Sequence, residues 1–212
     1  MKGYKIVQLK HLIESLGDEK VCGILSEFKC PKNPDVEKFL TDPNKAMNST
    51  KQGKSRTFLV LRSHKNKPVI VGYFSLTTKT TTFKRNFLKG KLKSRMIRFA
   101  TLDTINNRYE ISLPLIGQFG KNFNNGYDSL IEGDVLLKFA CDKIKVVHHI
   151  LGGNFAFVYL ECEDVSELKD FYERNGFVYF NKRCLERDEK RDLKGDYLLQ
   201  MIKDLSERKN VT

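Results

Sequence analysis

The sequence predicts an α/β fold in which one mixed β-sheet is flanked by helices. Short segments rich in β-branched and aromatic residues recur along the 212 residues and are typical of strands. Two segments with helical periodicity alternate with the later strands, which favours parallel strands within one sheet. No repeat or linker divides the chain. We therefore expect a single domain over residues 1–212, with a basic insert at 84–104 and a charged loop at 184–196.

The first part of the chain predicts a strand, a helical region and a hairpin. Tyr4–Leu9 is short and alternating, as expected of a strand. The segment NPDVEKFLTD predicts a helix, because Pro34 stands near its start and acidic residues fill its first turn. The polar segment NKAMNSTKQGKS is predicted to be a connecting loop. Arg56–Arg62 and Pro68–Phe83 predict two strands, which the polar link SHKNK joins as a hairpin.

The middle of the chain combines a basic insert with the longest predicted helix. The insert carries seven basic residues and no acidic one over KRNFLKGKLKSRMIR, and its apolar positions are spaced for a helix with one buried stripe. Tyr109–Asn122 then predicts a strand. After a turn region, an amphipathic helix begins at Gly133 and ends at the glycines 152 and 153.

The last part of the chain predicts strand–helix–strand order. Phe155–Glu163 is almost continuously apolar and is therefore predicted to be a central strand. In DVSELKDFYERNG, Asp164 is predicted to be an N-cap that forms a capping box with Glu167, and Gly176 ends the helix. FVYFNKR and DYLLQMIKDL predict two closing strands. The strand–helix–strand stretches over residues 109–180 predict the parallel part of the sheet.

Composition predicts a soluble protein that binds polyanions. The hydrophobic share is 40%, and neither a membrane-length apolar run nor a signal-peptide pattern is present. The five cysteines show no CxxC pairing and no histidine at ligand spacing, so we expect no metal site and a reducing, cytoplasmic compartment. A net charge of +12 with a pI near 9.4 predicts attraction to RNA, DNA or a phosphorylated cofactor.

Several segments together resemble the GNAT superfamily of acyl-coenzyme A-dependent N-acyltransferases. They are VGYFSLTT, then LPLIGQFGKN followed by GDVLLKFA, and finally VYLECEDVSELKDFYERNGFVYF. The resemblance covers roughly residues 57–205. The GYFSL and IGQFGKN strands look most similar to the branch that contains the GNAT toxins of toxin–antitoxin pairs.

The resemblance implies an acetyl-CoA site at the turn before Gly133. A strand that runs into a helix N-terminus presents amides and a positive dipole to a pyrophosphate. The family pattern Gln/Arg-x-x-Gly-x-Gly/Ala is replaced here by DSLIEG, which keeps the last glycine and puts Asp128 first. A simple loop before a core helix and, for Gly120, a strand-end turn remain the alternatives. The residues implied in cofactor binding are Phe119, Gly120, Lys121, Ser129, Leu130, Ile131, Glu132, Gly133, Asp134 and Asp164.

The resemblance also implies a tyrosine general acid. Amide formation from a thioester needs a neutral amine and a proton for the leaving sulfur. Tyr172, in FYERNGF, matches the family tyrosine with this role, whereas Phe171 has no proton to donate. The alternative is a core tyrosine. The general base stays open among Glu110, Glu161 and a chain of waters.

The acceptor is the open question of the sequence. The resemblance to the toxin-like branch implies acetylation of the α-amine of aminoacyl-tRNA. The basic insert would suit RNA phosphates, and a solvated basic helix or an interface with an acidic partner is the alternative for it. A protein or small-molecule amine, and a non-catalytic RNA-binding protein of the same fold, are the alternatives. An antitoxin and a second copy of the chain are the further partners that we consider. The candidate RNA-binding residues of the insert are Lys84, Arg85, Lys89, Lys91, Lys93, Arg95 and Arg98.

Overall fold

The computed structural model describes residues 3–84, 90–186, 190 and 195–206, and its strands form one sheet. The hydrogen-bonded order is β1-β2-β3-β5-β6-β8-β7, with β4 paired to β5. The strands are β1 (Tyr4–Gln8), β2 (Arg56–His64), β3 (Lys67–Lys84), β4 (Thr101–Asp103), β5 (Arg108–Lys121), β6 (Phe157–Cys162), β7 (Val178–Cys184) and β8 (Tyr197–Asp204). The helices are α1 (Leu9–Leu16), α2 (Asp18–Ser26), α3 (Pro34–Thr41), α4 (Ala46–Lys51), α5 (Gly90–Met96), α6 (Gly133–Leu151) and α7 (Ser166–Arg174).

The chain divides into two compact units, each with its own core. The first contains residues 1–77 and 116–140, and the second contains 78–115 and 141–212. β3, β5 and α6 each contribute residues to both units. The mixed sheet flanked by helices confirms the predicted fold class, whereas the single domain over 1–212 stays a prediction.

The first unit packs four short helices against β1, β2 and the first part of β3. The pairs β1–β2 and β2–β3 are antiparallel, which confirms the hairpin, and the register shifts between Val60 and Leu61. At the centre of the core, Tyr73 is fully buried and its hydroxyl donates to the Val36 carbonyl of α3 at 2.6 Å. The buried apolar residues around it include Leu9, Val21, Leu25, Phe28, Leu40, Met47 and Leu59.

The predicted loop NKAMNSTKQGKS contains a helix, so that prediction was wrong in part. Ala46–Lys51 forms α4. Ala46, Met47 and Thr50 are buried, the first two within the core of the first unit. The segment is too polar to show a helical stripe, and burial of its few apolar residues stabilises the helix instead.

The second unit packs α5 and the second half of β3 onto the central strands. Met96 of α5 and Phe83 of β3 are buried together with Ile111, Leu113 and residues of β6, β7 and β8. β6 lies between β5 and β8, which confirms its predicted central position. Burial of this apolar face provides the stability of the unit.

β8 lies between β6 and β7, so these two strands do not form the parallel pair that the sequence predicted. Both strands pair antiparallel with β8, in registers such as Leu160↔Met201 and Tyr179↔Met201. β6 and β7 therefore run in the same direction, as predicted for strand–helix–strand order, without being neighbours.

The basic insert is only partly helical. Its helix is limited to α5, residues 85–89 lie outside the described part of the chain, and the insert ends in β4, which forms a hairpin with β5. Leu92 and Met96 pack into the core as the predicted stripe requires. Of the predicted charged loop 184–196, residues 187–189 and 191–194 also lie outside the described part.

Candidate functional site

The end of β5 is enclosed by two helices of the first unit. A Cβ atom on Gly120 would overlap with Val36 Cγ1 of α3. A Cβ atom on Gly72 of β3 would lie 2.9 Å from both the Gly120 carbonyl oxygen and Leu136 Cδ2 of α6. Neighbouring side chains, and at Gly72 also a backbone carbonyl, therefore have to shift if either glycine is replaced. This is a reason for Gly120 that the sequence did not reveal.

Asn122 fixes the chain directly after β5. It is 2% exposed, and its side-chain oxygen accepts hydrogen bonds from the backbone amides of Lys29 and Asn124, each at 3.0 Å. Its amide nitrogen donates to the Ile70 carbonyl at 2.8 Å. Two of these partners, Lys29 and Ile70, come from distant segments, so no local sequence pattern indicated this residue.

The turn between β5 and α6 is held by contacts to its carbonyl groups. Asn124–Leu130 is a 3₁₀ segment in which Asn125 and Gly126 adopt left-handed φ angles. Ser129 Oγ donates to the Gly126 carbonyl at 2.7 Å. The Leu130 carbonyl accepts from the Tyr4 hydroxyl at 2.9 Å and from the Arg62 guanidinium.

Tyr4 and Arg62 form a clamp on this turn. The Arg62 guanidinium lies 5.3 Å from the centroid of the Tyr4 ring, and the Tyr4 ring packs edge-on against Phe139 of α6. Sequence reasoning missed both residues, because each lies more than 60 positions from Leu130.

The N-terminus of α6 begins directly after the turn. The Leu136 amide donates to the carbonyl of Glu132, the residue before the helix, at 3.1 Å. Helix geometry leaves the earlier amides, such as those of Gly133 and Val135, directed beyond the helix end. Around them, Ile131 is buried, whereas Glu132 is exposed.

Several other residues implied in cofactor binding lie at the surface of the first unit, whereas Asp164 belongs to the second unit. Asp134 and Ser129 are exposed, and Asp128 is half-buried. Phe119 and Lys121, at the end of β5, are also half-buried. Of the acidic residues next to the helix start, Glu132 and Asp134 are therefore exposed, whereas Asp128 is half-buried.

Tyr172 lies on α7 in the second unit and is almost completely buried. It is 8% exposed, and its ring packs edge-on against Phe171 and Phe177, with centroid distances of 5.0 and 5.9 Å. Burial, reinforced by the neighbouring Cys162, raises the pKa of the Tyr172 hydroxyl. The hydroxyl therefore stays protonated at neutral pH and is a weaker acid than that of an exposed tyrosine.

Asp164 does not cap α7, so the predicted capping box was wrong. The residue that precedes the helix is Val165, without a side-chain capping bond. The Asp164 carboxylate instead accepts from the Tyr197 hydroxyl at 2.7 Å and pairs with Lys169 at 2.9 Å. The hydrogen bond from Tyr197, followed by that from Lys169, lowers the pKa of Asp164.

The predicted C-terminal end of α7 at Gly176 is confirmed. The Gly176 amide donates to the Glu173 carbonyl at 2.8 Å, and the φ angle of Gly176 is +80°.

Of the two candidate bases, Glu161 is held in a network of charged and polar groups. Its carboxylate accepts from Arg183 Nε and from Gln200 Nε2, at 2.9 and 2.8 Å, and lies 3.5 Å from Lys79. Gln200 in turn accepts from the buried Thr81 hydroxyl at 3.0 Å. Both oxygens of the Glu161 carboxylate are thus engaged by neighbouring donors.

The other candidate base, Glu110, is exposed on β5. It contributes to a cleft of about 450 Å³ in the second unit. The other residues that line this cleft are Thr82, Asp103, Asn106, Arg108 and Tyr109.

The basic residues of the insert are not equivalent. The Arg95 guanidinium pairs with Asp204, hydrogen-bonds Ser206 at 2.6 Å and lies over the Phe157 ring. It joins α5 to the end of β8 and is not directed to solvent as a free cation. The remaining basic residues of the insert differ in exposure: Lys84, Lys91 and Arg98 are exposed, Lys93 is half-buried, and Arg85 and Lys89 lie outside the described residues.

The part of the chain that the structure describes contains neither a metal-binding cluster nor a membrane-length apolar helix. No group of three or more histidine, cysteine or acidic side chains there is arranged to hold a metal ion. Among the helices described, none combines the length and the apolar character needed to cross a membrane.

Comparison with known proteins gives a match at the level of structure. No protein-family model and no curated protein sequence matches the chain. The solved structure of AtaTR bound with acetyl-CoA aligns with a TM-score of 0.56 and 13% identity, over 97% of this chain and 95% of that one. A tyrosine-to-phenylalanine mutant of KacT aligns at 0.57 and 14%, over 94% and 95%. AtaT complexed with acetyl-methionyl-tRNAfMet aligns at 0.56 and 16%, over 92% and 93%.

The chain has the fold of the GNAT toxins. The predicted resemblance is confirmed at this level, because the alignments extend over nearly the whole of both chains. At 13–16% identity, the alignments show the fold and not the roles of single residues.

Proposed function

We propose that this GNAT-fold protein is an N-acetyltransferase that moves the acetyl group of acetyl-CoA to a primary amine. The observation that carries the proposal is the likeness over nearly the whole chain to AtaTR bound with acetyl-CoA. The α6 N-terminus supports it, since amides at the positive end of a long helix suit a pyrophosphate. In this proposal the pantetheine arm runs along the backbone of Phe119, Gly120 and Lys121, and the phosphates lie at Ser129–Asp134.

Tyr172 is the proposed proton donor. The amine nitrogen attacks the thioester carbonyl carbon, the carbon–sulfur bond breaks, and the leaving sulfur takes the proton of the Tyr172 hydroxyl. The proton released by the nitrogen then restores the tyrosine, so the products are the amide and free coenzyme A. Burial raises the pKa of this hydroxyl, which keeps it protonated before the reaction but makes it a weaker acid, so the support for the role is the match of Tyr172 to the family tyrosine.

The favoured acceptor is the α-amine of aminoacyl-tRNA. An α-amine, with a pKa of about 8, loses its proton far more readily than a lysine side chain, so a dedicated base is less necessary. This agrees with the engagement of Glu161 by Arg183 and Gln200. The net charge of +12 favours an RNA substrate, and the solved structure of AtaT contains acetyl-methionyl-tRNAfMet.

The test is acetyl transfer from labelled acetyl-CoA to bulk aminoacyl-tRNA, compared with uncharged tRNA and a panel of free amines. We expect transfer to aminoacyl-tRNA alone. Transfer to free amines or proteins would instead support the alternative acceptors. Salt-dependent RNA binding without acetyl-CoA binding in calorimetry would support a non-catalytic RNA-binding protein.

The role of Tyr172 is tested separately with Tyr172→Phe. We expect kcat to fall by about 10²- to 10⁴-fold, the usual contribution of a general acid, while the Kd for acetyl-CoA stays unchanged. Tyr109→Phe, in the same unit but outside the proposed machinery, is the matched control. Full activity of Tyr172→Phe would remove this residue from the mechanism.

A further inference from the structure

The C-terminal turn of α7 is the part of the structure that fixes the Tyr172 backbone. The Tyr172 carbonyl accepts from the Asn175 amide at 3.1 Å and from the Phe177 amide at 3.0 Å. Phe177 also packs its ring against the Tyr172 ring. Tyr172 is thereby fixed through both its backbone and its side chain by the two residues that flank Gly176.

This turn is itself held by a lysine from β8. Lys203 Nζ donates to the Asn175 carbonyl at 2.6 Å and lies 5.6 Å from the centroid of the Phe177 ring. A Cβ atom on Gly176 would come within 3.6 Å of Lys203 Cε, so the lysine stem lies along the glycine backbone. One side chain therefore contacts all three residues of the turn.

The lysine is well placed for this role in electrostatic terms. The carbonyls at a helix C-terminus carry partial negative charge, and an ammonium group there is favourable. Lys203 reaches the turn from the central part of the sheet, because its strand pairs with β6 at Val158. The contact thus ties the end of a short helix to a strand that is paired on both sides.

We propose that Lys203 is a positioning residue for Tyr172, which sets the hydroxyl for proton donation. This rests on the proposed function, in which Tyr172 is the acid. Lys203 touches neither acetyl-CoA nor the acceptor in the proposal, and it acts through Asn175 and Phe177. Loss of the ammonium lets the turn relax and moves the phenol away from the sulfur.

A double-mutant cycle in the acetyl transfer assay tests the inference. We expect Lys203→Met to lower kcat by about 10-fold, because small displacements of a catalytic group are costly, with KM for acetyl-CoA unchanged. Lys203→Arg keeps a cation there and should restore most of the rate. In the Tyr172→Phe background, Lys203→Met should have no further effect. Lys145→Met, a lysine of the same unit that pairs with Asp142, is the matched control.

A measurement that needs no turnover completes the test. Hydrogen exchange of the Asn175 and Phe177 amides should accelerate in Lys203→Met and stay unchanged in Lys145→Met. Unchanged exchange, or an equal loss of kcat with and without the Tyr172 hydroxyl, would overturn the inference. Full activity of Tyr172→Phe would instead overturn the proposed acid role of Tyr172. The hydrogen exchange rates would still show whether Lys203 holds the turn, because they do not depend on turnover.

Discussion

At the scale of single residues, the strongest constraints are contacts between positions distant in sequence. Asn122 is an example, because its three side-chain hydrogen bonds join the end of β5, the first part of β3 and the segment after α2. Buried amides of this kind stabilise a fold mainly because their loss leaves the partner groups unsatisfied.

We therefore predict that Asn122→Ala lowers the free energy of unfolding by about 2–3 kcal/mol, since buried donors and acceptors lose their partner. Asn124→Ala is the control, because the Asn124 side chain makes one exposed bond to the Glu27 carbonyl and should cost about 1 kcal/mol or less. Urea denaturation measures both. A loss for Asn122→Ala no larger than that of the control would contradict this account.

The candidate site shows how far residue-level reasoning reaches. Tyr172 and the turn before Gly133 were proposed from the family resemblance and stay predictions; the structure places Tyr172 on α7 and the turn directly before α6. The capping role of Asp164 was predicted wrongly, because its carboxylate binds the Tyr197 hydroxyl and Lys169 instead of the helix amides. Tyr197 lies 33 positions away, so the local capping pattern does not reveal this contact. The clamp of Tyr4 and Arg62 has no local signal at all.

At the scale of elements, the close contact of α3 with β5 restricts the size of the residue at position 120 of the strand. Val36 fills the space that a side chain at position 120 would need. The helix itself begins where the sequence predicted, with Asn33 as N-cap and Pro34 as the first residue. A local start signal thus places a side chain that constrains a strand more than 80 residues further along.

We predict that Gly120→Ala destabilises the protein by about 1–3 kcal/mol, the usual range for overpacking. Val36→Ala removes the clashing Cγ1 atom, so Gly120→Ala should cost less in that background. The free energies of unfolding of the two single variants and of the double variant give the coupling between them. Strictly additive effects would show that the helix does not restrict the strand.

Elements with strong periodicity were predictable, and those stabilised by tertiary contacts were not. α6 forms where the apolar spacing predicted a helix. It ends at Leu151, and the amide of the next residue, Gly152, donates to the His148 carbonyl. α4 was assigned to a loop because its sequence is polar and its burial depends on α1 and β2. The insert 84–104 was predicted to be helical from the apolar spacing of residues 84–98, but pairing of β4 with β5 turns its end into a strand.

At the scale of the whole molecule, the excess of positive charge is the main property that the fold does not explain. Arg95 is used within the second unit, but Lys91 and Arg98 are exposed. Such cations displace counterions when they meet RNA phosphates, which makes the affinity depend steeply on salt.

We predict that tRNA affinity falls steeply with salt and that Lys91→Gln/Arg98→Gln lowers the slope of log K against log[salt] by about one to two. The control is Lys10→Gln/Lys20→Gln, which removes the same charge from exposed positions of α1 and α2. Filter binding over a salt series measures the slopes. Equal slopes for both double variants would mean that net charge, and not the insert, determines binding.

The packing around Gly72 and Gly120 also has a consequence for the evolution of this chain. Both glycines are in close contact with neighbouring atoms, so a glycine at each position accompanies the packing of α3 and α6 against the sheet. Descendants that lose the proposed catalysis but keep the fold should therefore still carry both glycines, and this pair would mark the fold rather than the activity.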